Sequence, residues 1–174
     1  MCKLNLDEAI VPGISAAGFK IGDCLENMKD IVRSATTIDI HQPIKINFNK
    51  EIADSQGWIL TPERGTSNTY DNTSLYYKDR WVRLIFNTKG ILYAIYTFEG
   101  YQGKLFDRIK IGSLLSETSD FFSVEYDSGD DMHYPSEESG IKGIGLIAAE
   151  MPLEEDPTQR IYGFCIHNWR LGEE

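Results

Sequence analysis

Phe19-Lys20-Ile21-Gly22-Asp23-Cys24-Leu25 returns 90 residues later as Ile109-Lys110-Ile111-Gly112-Ser113-Leu114-Leu115. The correspondence continues with Asp30 against Asp120 and Ile31-Val32 against Phe121-Phe122. Self-similarity at a fixed period marks a repeated structural unit, and overlooking it misassigns a fold. In both copies an extended segment meets a glycine, which tolerates a sharp reversal. Asp23 and Ser113 then have the chemistry of helix N-caps, and Asp23-Cys24-Leu25-Glu26 has capping-box spacing. Cys24, Leu25, Met28, Ile31 and Val32 recur with the helical period and predict an amphipathic helix.

Strands are predicted after both helices. Trp81–Phe86 and Ile91–Phe98 flank Asn87-Thr88-Lys89-Gly90, a four-residue link ending in glycine and the clearest hairpin in the chain. In the second half, Gly140–Ala149 and Arg160–His167 form a comparable pair joined by the acidic segment Glu150–Gln159. Thr36–Ile40 and Ile44–Phe48 are predicted strands separated by His41-Gln42-Pro43. Gln56–Lys78 has no counterpart in the second half and is expected to carry extra strands such as Ser74–Tyr77. The expected fold is therefore α+β: antiparallel sheet with short helices packed on one face, in two divergent helix-plus-hairpin repeats. The repeats span approximately residues 14–100 and 104–170. With 174 residues, 41% of them hydrophobic, and no Pro/Gly/Ser-rich linker, residues 1–174 are expected to form a single domain.

The net charge of −10 is concentrated in one place. Between Glu117 and Asp156 lie twelve acidic residues and one basic residue, Lys142, so the rest of the chain is close to neutral. The acids fall in two loop-like segments: one from Glu125 to Asp131 continuing to Glu137 and Glu138, the other Glu150, Glu154, Glu155 and Asp156. Two explanations stand. A charge run is commonly a solvated, solubilising loop. Here Tyr126, His133, Tyr134 and Tyr162 are interleaved, and carboxylates around aromatic anchors suit the docking of a basic protein. The candidate partner-binding residues are Tyr126, Asp127, Asp130, Asp131, Tyr134, Glu137, Glu138, Glu154, Glu155 and Asp156. Nucleic acid is not an expected partner, because phosphate would be repelled.

Catalytic signatures are missing from the sequence. Asp127-Ser128-Gly129-Asp130-Asp131 places glycine where a calcium loop needs a ligand. The histidines His41, His133 and His167 lack metal-ligand spacing, and no nucleophile elbow or phosphate loop occurs. Neither a metal nor a cofactor is expected, and the chain is expected not to be an enzyme. The alternative is an enzyme with a carboxylate-based site in the acidic half. Cys2, Cys24 and Cys165 do not read as a disulfide framework. The start, Met1–Asp7, has no basic-then-apolar signal, and no run approaches the roughly 18 apolar residues of a membrane span. The cytoplasm is the expected compartment, with no membrane partner.

Gly18-Phe19-Lys20-Ile21-Gly22, a capped helix and the hairpin VRLIFNTKGILYAIYTF together resemble a repeat of the β-lactamase-inhibitor-protein type of fold. They also resemble the bacterial immunity proteins of contact-dependent growth inhibition and other polymorphic toxin systems. The resemblance covers Val11–Val32 and Arg80–His167. It implies a cytoplasmic antitoxin that binds and blocks the active site of a basic toxin domain, often a nuclease acting on RNA. It assigns no individual contact residue.

Overall fold

A computed structural model describes residues 3–38, 48–62 and 73–173. Its centre is a nine-stranded, mostly antiparallel sheet. After a two-stranded ribbon, β1 (Ser15–Ala16) and β2 (Phe19–Lys20), the sheet strands are β3 (Thr36–Thr37), β4 (Trp58–Thr61), β5 (Thr73–Tyr77), β6 (Val82–Phe86), β7 (Leu92–Thr97), β8 (Val124–Asp127), β9 (Met132–Pro135), β10 (Ile144–Ile147) and β11 (Gly163–His167). In space they run β3-β4-β5-β6-β7-β11-β10-β9-β8. Strands β4 to β7 are laid down in order from one side, and β8 to β11 in order from the other. The last strand of each set meets in the middle, where Cys165 faces Tyr96 and Ile166 faces Ile95.

The expected hairpin forms with Asn87–Gly90 as its turn, and β10 pairs with β11 as expected. Asn87 is buried at the root of its turn. Its Oδ1 accepts from the amides of Lys89 (3.0 Å) and Ile91 (2.9 Å), and its Nδ2 donates to the Leu171 carbonyl (2.6 Å). Asn87→Ala would strand these groups, and a loss of about 2 kcal/mol is expected in urea denaturation.

The two KIG turns carry equivalent bonds. Gly22 and Gly112 have φ of 93° and 91°, a left-handed conformation that favours glycine. Gly22 N donates to Leu92 O and Gly112 N to Ile161 O; Leu92 N donates to Asp23 O and Ile161 N to Ser113 O. Each turn leads into a 3-10 helix, Leu25–Met28 or Leu115–Asp120. Asp23 and Ser113 are not helix caps, in contrast to expectation. They lie one residue too early, and their side chains accept from the amides of Lys20 (2.9 Å) and Lys110 (3.3 Å), closing the turn itself. The first 3-10 segment passes into α1 (Lys29–Ser34), so the amphipathic stretch is helical but not one regular α-helix.

Short helices pack on both faces of the sheet, not on one. Adjacent residues of a strand point to opposite faces. Along β4, Trp58 and Leu60 join the main core with Leu75, Val82, Leu84, Ile95, Leu146, Phe164 and Ile166, under Leu25, Met28, Ile31 and Leu115. Ile59 points the other way, to Ile52 of α2 (Phe48–Asp54) and to Tyr76. On that second face, Trp169 and Leu171 of α3 (Trp169–Gly172) cover Tyr93. Phe48, expected to close a strand over Ile44–Phe48, opens α2 instead; residues 44–47 and His41-Gln42-Pro43 lie outside the described residues. Coverage of both faces explains why β7 is apolar along most of its length. Among the described residues no helix is long and apolar enough to cross a membrane.

Candidate functional site

The acidic segment expected to be a loop is instead the edge of the sheet. Strands β8 and β9 pair as a hairpin, Val124 with Pro135, Glu125 with Tyr134, Tyr126 with His133 and Asp127 with Met132. Its tip is 128–131, where Asp127 Oδ1 accepts from Gly129 N (2.7 Å) and Asp131 takes a φ of 54°. Aspartate tolerates both roles in a tight turn.

Two tyrosine hydroxyls organise the tip. Tyr126 donates to Asp131 Oδ1 at 3.0 Å and Tyr134 to Asp130 Oδ2 at 2.7 Å. A phenol donating to a carboxylate holds its proton more firmly, and the Tyr134 phenol is pushed upward by burial and then by Asp130. Asp127, Asp130 and Asp131 are all exposed. Among the described residues, no lysine or arginine pairs with them.

Behind the hairpin, His133 is fully buried. Its Nε2 lies 3.0 Å from the Met151 carbonyl, its ring leans on Tyr126 at 5.1 Å, and burial lowers its pKa. This contact lays the start of the β10–β11 connection against β9. Glu150 and Tyr162 thereby join the tip: the Tyr162 phenol is raised by burial and by the charges of Glu150 and Asp131. Tyr162 is 48% exposed and Met151 37% exposed, so the patch offers apolar area as well as charge. Glu150, Met151 and Tyr162 were outside the candidate set because only the folding of the connection brings them beside Asp131.

The ten candidates therefore do not form one cluster. Tyr126, Asp127, Asp130, Asp131 and Tyr134 belong to the tip. Glu154 is near enough for its charge to act on His133, and Glu155 is exposed on the same connection. Asp156 is engaged locally, accepting from Thr158 N (2.9 Å) and Oγ1 (2.7 Å), which lowers its pKa. Glu137 and Glu138 sit in a 3-10 turn at the opposite end of β9, about 16 Å from the tip along the strand.

None of the ten candidate residues lines either of two hollows in the surface. One, of about 580 Å³, lies between α1 and the β6–β7 turn and includes Lys29, Arg33 and Lys89. The other, of about 550 Å³, includes Lys142, His167 and Arg170. Among the described residues no three of His, Cys, Asp or Glu gather as metal ligands. No protein-family model, curated protein or solved structure matches the chain.

Proposed function

We propose that this protein binds a basic protein partner through the β8–β9 tip, as a cytoplasmic immunity protein that blocks the active site of a toxin domain. One observation carries the proposal: at the edge of the sheet, exposed carboxylates that have no cationic partner among the described residues are held around tyrosines. Acids on an edge strand repel a second copy of the same edge, which guards against self-association. The same field accelerates encounter with a basic surface, while Tyr126, Tyr162 and Met151 supply area that a partner can bury. A nuclease is the toxin class that fits best, because a groove that holds a phosphate backbone must itself be basic; that it cuts RNA is what the resemblance to immunity proteins implies.

We further infer that the chain arose from two copies of one unit. The matched bonds of the two KIG turns and the mirrored order of β4–β7 and β8–β11 support this. On this view the copies kept their scaffold and diverged in charge.

The test is to look for a toxin gene beside this one and, where a neighbouring gene encodes a basic toxin domain, to measure binding to it by calorimetry at low and high salt; a neighbourhood without such a gene counts against the proposal. The expected result is nanomolar or tighter affinity that weakens with salt. Asp130→Lys with Asp131→Lys should cost about 100-fold, whereas Glu137→Lys with Glu138→Lys at the far end of the hairpin should cost much less. Equal affinity for wild type and the Asp130/Asp131 variant would reduce the tip to a solubilising feature.

A further inference from the structure

The two KIG turns dock their strand connections in the same way, yet what lies beside them differs. Leu25 N donates to Gly90 O and Leu115 N to Gln159 O, both at 2.9 Å, and the bridges Cys24–Ile91 and Leu114–Arg160 match as well. Beside the second turn, the long connection 148–162 folds back over this junction. Leu153 packs against the main core, and Gln159 is buried with its Nε2 3.4 Å from the carbonyls of Met151 and Pro152. The segment so placed reads Met151-Pro152-Leu153-Glu154-Glu155-Asp156, a leucine followed by three acids. Beside the first turn the β6–β7 connection is short, and the junction residues Cys24, Leu25 and Gly90 line the hollow of about 580 Å³ instead.

The chemistry of that hollow complements the segment. Leu25 and Val32 give it an apolar wall, and Lys29, Arg33 and Lys89 outnumber its one acid, Glu26, in a chain of net charge −10. Its volume is that of a site for a small ligand or a few side chains. Lys29 and Arg33 lie four residues apart on α1, where like charges repel. Among the described residues neither is paired with a carboxylate. Nor does the turn need them: at the 90-residue offset Ser119 and Ser123 take their places, and the second turn makes the same backbone bonds. A local cost with no return to the scaffold is the mark of residues placed for a ligand.

We propose that this hollow binds an acidic segment of a partner protein, with one apolar side chain seated against Leu25 and Val32 and carboxylates facing Lys29 and Arg33. The partner segment does beside the first turn what connection 148–162 does beside the second, and that comparison favours a peptide over a small anion. The site is separate from the β8–β9 tip and opposite to it in charge, so neither reading depends on the other.

The test titrates the full chain with acetylated, amidated Met-Pro-Leu-Glu-Glu-Asp, the sequence of residues 151–156, and follows backbone amide shifts by nitrogen-15 NMR. Saturation is expected below about 1 mM, with shifts concentrated at residues 24–33 and 87–90 and with binding that weakens as salt rises. Lys29→Glu with Arg33→Glu, both at exposed positions, should weaken binding at least about tenfold. Alanine in place of the peptide's leucine should also cost about tenfold. Absence of saturation in that range overturns the proposal, as do undiminished binding by the double variant and shifts centred elsewhere. Equal binding of the leucine and alanine peptides overturns it too, because charge alone would then account for the affinity. If benzoate saturates the same residues and the peptide does not, the hollow is a small-anion site and the proposal fails.

Discussion

Replacing Phe164 by alanine should lower the stability of this protein by about 3–5 kcal/mol, the usual cost of emptying a large aromatic site in a core. Phe164 is fully buried on β11, where Thr97 of β7 and Leu146 of β10 are its register partners. It belongs to the main core with residues from both sets of strands, Leu84 and Ile95 on one side and Ile144 and Leu146 on the other. The cavity would therefore open at the junction of the two sets. Urea denaturation should show a lower midpoint with a single transition, and the thermal midpoint should fall by about 10 °C, given the entropy of unfolding at this size. Phe164→Leu, which keeps most of the apolar volume, should cost less than half as much. If the alanine variant instead lost one half of its far-ultraviolet signal before the other, the two sets would be separable folding units.

The strands on either side of that residue were legible in the sequence because hydrophobic content and turn chemistry agree there. Val82–Phe86 and Leu92–Thr97 are bounded by a turn whose glycine comes last, and tertiary packing had nothing to override. Val124–Asp127 and Met132–Pro135 were missed for the opposite reason. Glu125 and Asp127 alternate with Val124 and Tyr126, which is the pattern of an edge strand, but the density of charge made it resemble a loop. His133 gave no local sign of full burial, since the contact that buries it comes from Met151, 18 residues away. At the KIG turns, Asp23 and Ser113 had the right chemistry and spacing for caps. A side-chain oxygen can close a turn or cap a helix, and the backbone reversal at Gly22 and Gly112 decided for the turn.

The candidate site was legible as composition rather than as geometry. Tyrosines among aspartates indicated where the charge lies, and four of those residues do meet in pairs, Tyr126 with Asp131 and Tyr134 with Asp130. Glu137 and Glu138 were grouped with them because they are near in sequence, yet a strand runs between them and the tip.

Acid should destabilise the fold well before its carboxylates titrate, and His167 is the main reason. The residue is 8% exposed, stacked on Trp169 at 4.2 Å with Tyr134 edge-on at 5.8 Å, and its Nε2 has no hydrogen-bond partner among the described residues. Burial lowers its pKa to about 4, against a smaller upward pull from Asp130. His133 is shifted in the same direction, also chiefly by burial. The folded state thus holds both rings neutral, whereas the unfolded chain takes up protons near pH 6.5. Stability is full above about pH 6.5 and declines as pH falls toward 4, because protons bind preferentially to the unfolded state. Asp156, with its lowered pKa, adds a loss only below the ordinary carboxylate range and so lies outside this window. From pH 7.5 to pH 5 the His167 contribution should be about 2 kcal/mol, read from urea midpoints at each pH. His167→Phe keeps a ring between Trp169 and Tyr134 and removes the proton site. It should flatten most of this dependence, leaving the smaller share of His133. An unchanged slope in His167→Phe would mean that the His167 ring takes up its proton in the folded protein as readily as in water. In that case the aromatic stack over the end of β11 would be open to solvent.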